Sequence, residues 1–477
     1  MEQQMKNIFE QAYDHKSFKE QGYQLIDLLA NYLEKAAVGD YDKVMPTTSP
    51  EDQLNTWDAE HSGKDLNSFF NKVLVNSTKL QHPKYMGHQV SPTLPVAALA
   101  DLFSALMNNG TGVFEMGPAS NALEYQICEM TAKKFGMGPK SGGFLTSGGT
   151  LANLTALLTA RAVKLPNAWE QGTDKQYAFL VSEQSHYCVD RAVRIMGWGA
   201  AGAIKVKTND RFQMDTDSMI SAYEEAKKNG ITVIGVVASA PSTATGSYDD
   251  LPAIGKFCKA NDLWFHVDAA HGGAFIFSKS HKDMMDGTEY ADSVIMDFHK
   301  MLLVPALTTA VMYRDRRLAH STFNQQASYL WAEDQSDEWE NSAKVTFECT
   351  KLMMSIKIQA IIESYGFELW EKYLDRVMEL TRHFEEQILK EEDWELACSP
   401  EANIICYRWK AGKDLDHCNT VNTAIRKEVI ERGPYYIVIT NVEGKTYLRS
   451  TIMNPLSQEA DIDELILQIK TLAERFK

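Results

Sequence analysis

Between about residue 140 and residue 315, short β-rich runs alternate with stretches of helical character, and no other property of the chain constrains its fold as strongly. The runs cover 144–146, 177–181, 204–206, 233–238, 264–267 and 293–296. Strands joined by helix-length connections pair in parallel and take helices on both faces. The pattern therefore predicts a three-layer α/β domain around a mostly parallel sheet. In such a sheet ligands collect at the carboxyl ends of the strands, so the residues that follow each run are the ones to read for chemistry.

Four of these ends carry candidate groups. Residues 142–153, Gly-Gly-Phe-Leu-Thr-Ser-Gly-Gly-Thr-Leu-Ala-Asn, read as a strand end, a glycine turn and a helix start whose outward amides and dipole suit a phosphate. His186 stands just after a strand at the start of a helix, where an imidazole either stacks on a flat ring or caps the helix. Asp268 ends the run Leu-Trp-Phe-His-Val-Asp, and an aspartate at the end of a buried strand is suited to a cationic ring nitrogen. Lys300, in Met-Asp-Phe-His-Lys, leaves another apolar strand. An ammonium there is costly to bury unless its pKa falls, and a lowered pKa is what an amine needs to form a Schiff base. The plain alternative is a lysine snorkelling at a strand end. A tight Gly-x-Gly-x-x-Gly turn is missing, which disfavours a dinucleotide. His266, Asp268 and His271 form a partial metal set, without a further ligand cluster at suitable spacing.

Taken in the order Gly-Gly-Thr, His, Asp, Lys, these motifs resemble the group II amino-acid decarboxylases of the fold-type-I pyridoxal-phosphate enzymes over nearly the whole chain. That family includes the glutamate, aromatic-L-amino-acid, cysteine-sulfinate and 2,4-diaminobutyrate decarboxylases. The resemblance implies pyridoxal 5'-phosphate as cofactor and a large domain with a mostly parallel sheet, preceded by a helical segment and followed by a small α+β domain. Residue by residue, it implies that Lys300 carries the cofactor covalently, Asp268 pairs with its ring nitrogen, His186 stacks on the ring and Ala270 packs on the opposite face. Gly149, Thr150 and His299 match positions around the phosphate. Thr243 matches a threonine beside the ring, in a motif where the family often has Gly and this chain has Pro241. Tyr329, in the charge-rich stretch 314–342, matches a mobile-loop tyrosine that protonates the substrate carbon once carbon dioxide has left.

On the substrate side, residues 81–89, Gln-His-Pro-Lys-Tyr-Met-Gly-His-Gln, resemble the family segment that approaches the substrate carboxylate, from the partner subunit in some members. Tyr85, His88 and Gln89 are its candidates, and Arg449 matches a carboxylate-binding arginine of the small domain. Phe-Glu-Met-Gly-Pro-Ala at 114–119 is closer to the glutamate, cysteine-sulfinate and diaminobutyrate members than to the aromatic ones. The implied reaction is decarboxylation of an L-amino acid, acidic or short and polar, to the amine. The alternatives are an aromatic substrate or an aldehyde-forming deamination on the same scaffold. More remote ones are a metal-dependent hydrolase or a non-catalytic binding protein.

At 477 residues and 44% hydrophobic, the chain can bury a large core in more than one domain. The expected division is a helical segment over 1–75, the cofactor-binding domain over 76–368 and a small domain over 369–477, whose strands near 404–409, 435–440 and 446–452 follow a long helical stretch at 344–391. Phe18, Leu25, Ile26, Leu29, Tyr32 and Leu33 share helical spacing. Their apolar face suits the body of the protein or a second subunit, so a homodimer with shared active sites is expected. Pro50, followed by an acid, announces another helix. A net charge of −16 makes nucleic acid or an anionic membrane an unsuitable partner. Residues 1–20 hold no apolar signal core, and no apolar run approaches the ~18 residues of a membrane span. Seven scattered cysteines, without a Cys-x-x-Cys pair, read as reduced and mostly buried thiols of a cytoplasmic enzyme.

Overall fold

The computed structural model describes residues 2–57, 65–323, 339–410 and 414–476. Its large sheet is built from β1 (Gly142–Thr146), β2 (Tyr177–Ser182), β3 (Ala203–Val206), β4 (Thr232–Ser239), β5 (Trp264–Asp268), β6 (Ser293–Asp297) and β7 (Thr309–Tyr313). The strands lie in the order β1-β7-β6-β5-β4-β2-β3. Pairings from β3 through β2, β4 and β5 to β6 are parallel, as the alternation predicts. β7 runs antiparallel to both β6 and β1. The reason is length, because a parallel return needs a crossover of roughly a dozen residues or more, usually helical. Only residues 298–308 separate β6 from β7.

Every residue of β5, β6 and β7 is buried, because helices cover both faces of the sheet. Strand alternation sorts the side chains between two cores. Val236, Val294, Met296 and Met312 face the helices Pro118–Lys134, Thr216–Lys228 and Leu251–Ala260. Phe179, Val237, Ile295 and Val311 face Gly149–Lys164 and Tyr187–Ile195. Trp264 belongs to the second face and Phe265 to the first. By the same alternation His266 and Asp268 point toward Gly149–Lys164.

A second, antiparallel sheet holds β8 (Trp394–Leu396), β9 (Ile404–Trp409), β10 (Val438–Val442) and β11 (Lys445–Thr451) in the order β10-β11-β9-β8. Residues 435 and 436, expected to open β10, pair elsewhere. Tyr436 donates its N–H to Lys84 O at 3.2 Å and accepts from Met86 N–H at 3.0 Å, which fastens residues 84–86 to the stretch before β10. The long helical stretch expected over 344–391 holds two helices, Met354–Tyr365 and Glu368–Leu389, with a break at Gly366. The amphipathic stretch near the start forms His15–Ala37, capped by Asp14, and Pro50 begins Pro50–Trp57. Five of the cysteines are buried, Cys398 is half-buried and Cys349 is exposed. Among the described residues no helix is long and apolar enough to cross a membrane.

Candidate active site

The carboxyl ends of the strands, with the turns that follow them, surround a cavity of about 970 Å3 including its open mouth. Gly149, Thr150, His186, Thr243, Asp268, Ala270, His299 and Lys300 all line it. These residues come from five separate stretches of chain, and the strand order brings them together.

Lys300 sits on the short helix Phe298–Met301 that follows β6. Its Nζ lies 2.9 Å from Oδ2 of Asp297, the last residue of the strand. The expected depression of the Lys300 pKa does not occur in the cofactor-free chain. Burial is the strongest single influence and works to lower it, but the charge and hydrogen bond of Asp297, with Asp268 and Cys188 behind it, together raise it. Asp297, only 1% exposed, is itself held below the usual carboxylate range. Its burial is overcome by Lys300, His299 and the Thr309 hydroxyl, which donates to Oδ1 at 2.5 Å. Lys300 is thus an ion-paired cation in waiting rather than a free amine.

Asp268 is held from behind by two donors, Asn153 Nδ2 at 2.9 Å and the Ala270 N–H at 3.1 Å. His186 caps the helix Tyr187–Ile195, its Nδ1 accepting the Cys188 N–H at 3.3 Å, and it also lines the cavity. Burial lowers its pKa despite the nearby Asp268, which leaves a neutral, flat ring at the wall. His299 accepts the Thr308 N–H at Nδ1, 3.1 Å.

The glycine turn precedes the helix Gly149–Lys164. Gly148 stands at φ 97 as the cap residue and offers no side-chain cap. A Cβ on Gly149 would come within 3.3 Å of the Asp297 carboxylate, a tight contact that keeps the backbone close to the cavity floor there. Glu348, from the other end of the chain, ties down the same turn by accepting from Ser147 N–H at 3.1 Å, Ser147 Oγ at 2.6 Å and Thr146 Oγ1 at 2.8 Å.

The substrate-side candidates lie apart from this cavity within one chain. Tyr85 is buried against Tyr436, ring centroids 5.4 Å apart and 12° from parallel. His88 is exposed beside the same ring, and Gln89 is half-buried. Arg449 is buried on β11 with Nε and Nη2 lacking a hydrogen-bond partner among the described residues. Burial lowers the pKa of both His88 and His271, and the charge of Arg449 adds to it. Tyr329 lies outside the described residues. Of the partial metal set, both ring nitrogens of His266 are committed to Ser293 and Asn153, each at 2.8 Å. His271 is turned to Asn403 at 2.7 Å.

Asp297, Asn153 and Glu348 are functional neighbours that sequence reading passed over. Asp297 had a local signal, since residues three apart across a helical turn share a face. Asn153 and Glu348 had none, because their partners are 115 and 201 residues away.

A lysine at a strand end, a carboxylate braced by two donors and an uncapped helix start around one cavity define the site of a fold-type-I pyridoxal-phosphate enzyme. The donor set fits that cofactor: Asp268 presents an acceptor, Lys300 an amine, and the Gly148–Thr150 turn a backbone open to phosphate. Residues 51–410 match the pyridoxal-dependent decarboxylase conserved domain, and the chain belongs to that family. It is similar to an L-2,4-diaminobutyrate decarboxylase of Acinetobacter baumannii, 28% identical over 87% of this chain and 84% of the relative. An aromatic-L-amino-acid decarboxylase of Bacillus atrophaeus is 24% identical over 96% of both chains. The crystal structure of mouse CSAD shares the fold, with TM-score 0.87 and 23% identity over 95% of this chain and 99% of that one. The protein is accordingly a pyridoxal-phosphate-dependent amino-acid decarboxylase.

Proposed function

We propose that the substrate is an acidic or short polar L-amino acid, which leaves as the corresponding amine. The observation that carries this reading is the Phe-Glu-Met-Gly-Pro-Ala segment at 114–119, which is closer to the glutamate, cysteine-sulfinate and diaminobutyrate members than to the aromatic ones, joined by the likeness to a diaminobutyrate decarboxylase and to an L-aspartate decarboxylase 29% identical over 80% of the chain. Arg449, a buried guanidinium with two donors unpartnered among the described residues, suits the carboxylate that every such substrate carries. Bound pyridoxal phosphate supplies the aldehyde that the amines condense with and the cationic ring that accepts electrons as carbon dioxide departs.

The chain's own residues then divide the work. Lys300 would hold the cofactor covalently through its amine. Asp268 would face the ring nitrogen, with Asn153 and the Ala270 amide fixing its orientation. His186 and Ala270 would bound the ring on its two faces, Thr243 would lie beside it, and Gly149, Thr150 and His299 would surround the phosphate. Tyr329 donates the proton that replaces the carboxylate at Cα. Tyr85, His88, Gln89 and Arg449 belong to the substrate side and are completed by a second subunit. Exposed Leu99, Leu102, Phe103, Leu106 and Met107 on the helix Pro95–Met107 give one chain an apolar face of the kind that marks an interface. Cytoplasmic residence goes with this assignment.

A panel of L-amino acids assayed for carbon dioxide and amine release tests the substrate. Turnover of 2,4-diaminobutyrate, aspartate, glutamate or cysteine sulfinate above the aromatic acids is expected. Preference for tryptophan, tyrosine or dopa overturns it. Sedimentation at micromolar concentration is expected to give a dimer, and a fully active monomer refutes the shared site.

A further inference from the structure

Behind Asp268 runs a buried line of hydrogen bonds that ends at an obligate donor. The Trp264 indole is a donor only, and its Nε1–H reaches Ser293 Oγ at 2.9 Å. Ser293 Oγ, with one lone pair taken by that N–H, has its own proton to give to its next neighbour, His266 Nδ1 at 2.8 Å. A neutral imidazole that accepts at Nδ1 donates at Nε2, and Nε2 lies 2.8 Å from Asn153 Oδ1. That contact fixes the Asn153 amide, with oxygen toward His266 and nitrogen toward Asp268 Oδ2 and the Cys188 sulfur at 3.3 Å.

Reversing the amide would set its NH2 group against the His266 N–H. It would also set its carbonyl against Asp268, which could meet it only by taking up a proton. A protonated Asp268 is no counter-charge for a cationic ring. Burial keeps His266 neutral, its pKa pushed down to about 3, so the imidazole does not become a donor on both sides.

We propose that His266 and Asn153 are positioning residues for the decarboxylase: their one-way hydrogen-bond chain from Trp264 holds Asp268 as an anion that only accepts, and so keeps the cofactor's ring nitrogen protonated. The proposal rests on Asp268 being the partner of that nitrogen.

The test uses holoenzyme loaded with pyridoxal phosphate carrying 15N in the ring, and reads the ring-nitrogen resonance together with kcat and KM. In His266→Leu the amide is free to turn. The resonance is expected to move toward the unprotonated position, with kcat falling about ten- to a hundredfold, as for a lost hydrogen bond to a charged group, and KM nearly unchanged. His266→Gln, which keeps a donor near the place of Nε2, is expected to restore both readings. Asn153→Leu, of similar size, is expected to shift the resonance in the same direction and keeps the test open if His266→Leu does not fold. Wild-type resonances in both leucine variants, with a shifted one in Asp268→Ala, overturn the chain while leaving Asp268 in its role. An unshifted resonance in Asp268→Ala removes Asp268 from the ring nitrogen and this proposal with it.

Discussion

Replacing Asp297 by Asn in the cofactor-free protein removes the charge that holds Lys300 while nearly preserving shape. At the observed 2.9 Å, the gross attraction is about 6 kcal/mol for an effective dielectric near 20. Part of it is offset because Asp297 no longer has to be buried as an anion. Losing one partner of a buried pair typically costs ~3–5 kcal/mol. The Lys300 side chain is 22% exposed, so water softens the loss and about 3 kcal/mol is expected. Lys300→Met is expected to cost a similar amount by stranding Asp297 beside His299. The double variant buries neither charge, so its loss should fall at least ~2 kcal/mol short of the sum.

Urea unfolding followed by tryptophan fluorescence measures the cycle. The sign of its pH dependence follows from the two shifts. Asp297 is lowered from 3.8, so its share is present above that value and is lost as pH falls through the folded pKa. Lys300 is raised from 10.5, so its share is complete below that value and is lost as pH rises through the folded pKa. The deficit of the variant is therefore expected to be flat from pH 6 to 9. Single losses that add within ~0.5 kcal/mol refute the pairing.

Lys300→Ala is expected to abolish turnover, and borohydride should no longer fix the cofactor to the chain; fixation at another lysine with activity kept refutes the assignment. His271, like His266, is buried with its pKa pushed down from 6.5 to about 3. The unfolded chain takes up these protons first, so stability is complete above pH 6.5 and falls below it by about 1.4 kcal/mol per pH unit for each histidine. Between pH 6 and 4, His271→Asn should show a slope shallower by about that amount, and an unchanged slope in denaturant titrations contradicts it. Tyr329→Phe should still bind cofactor and substrate yet release less amine and some aldehyde with ammonia. Mass spectrometry showing amine at the wild-type rate and no aldehyde assigns the proton to another group.

Six of the seven strands of the large sheet, all but β7, and most of the cavity wall were legible without coordinates because they obey local rules. Asp268 and Lys300 each follow a strand, Gly148 begins a helix without a cap, and His186 stands where a strand turns into a helix. Each is a strand-end position whose neighbours in sequence are its neighbours in space, and an open α/β sheet gathers such ends on one edge. The boundaries at 366 and 438 were less legible, since a break at Gly366 and the pairing of Tyr436 with residues 84–86 depend on what lies alongside.

The state of Lys300 was not legible either. Burial alone argued for a depressed pKa, and the sign is reversed by Asp297 on the same short turn together with Asp268 and Cys188 from other stretches. The chain Trp264–Ser293–His266–Asn153 lay entirely beyond the sequence. Local pattern decides which face of β5 His266 and Asp268 occupy, but the strand order decides that β6 brings Ser293 beside β5. Helix packing then decides that Asn153 lies across both. A hydrogen bond is directional and short-ranged, so groups more than a hundred residues apart acquire a shared protonation pattern only after the sheet and its covering helix have formed.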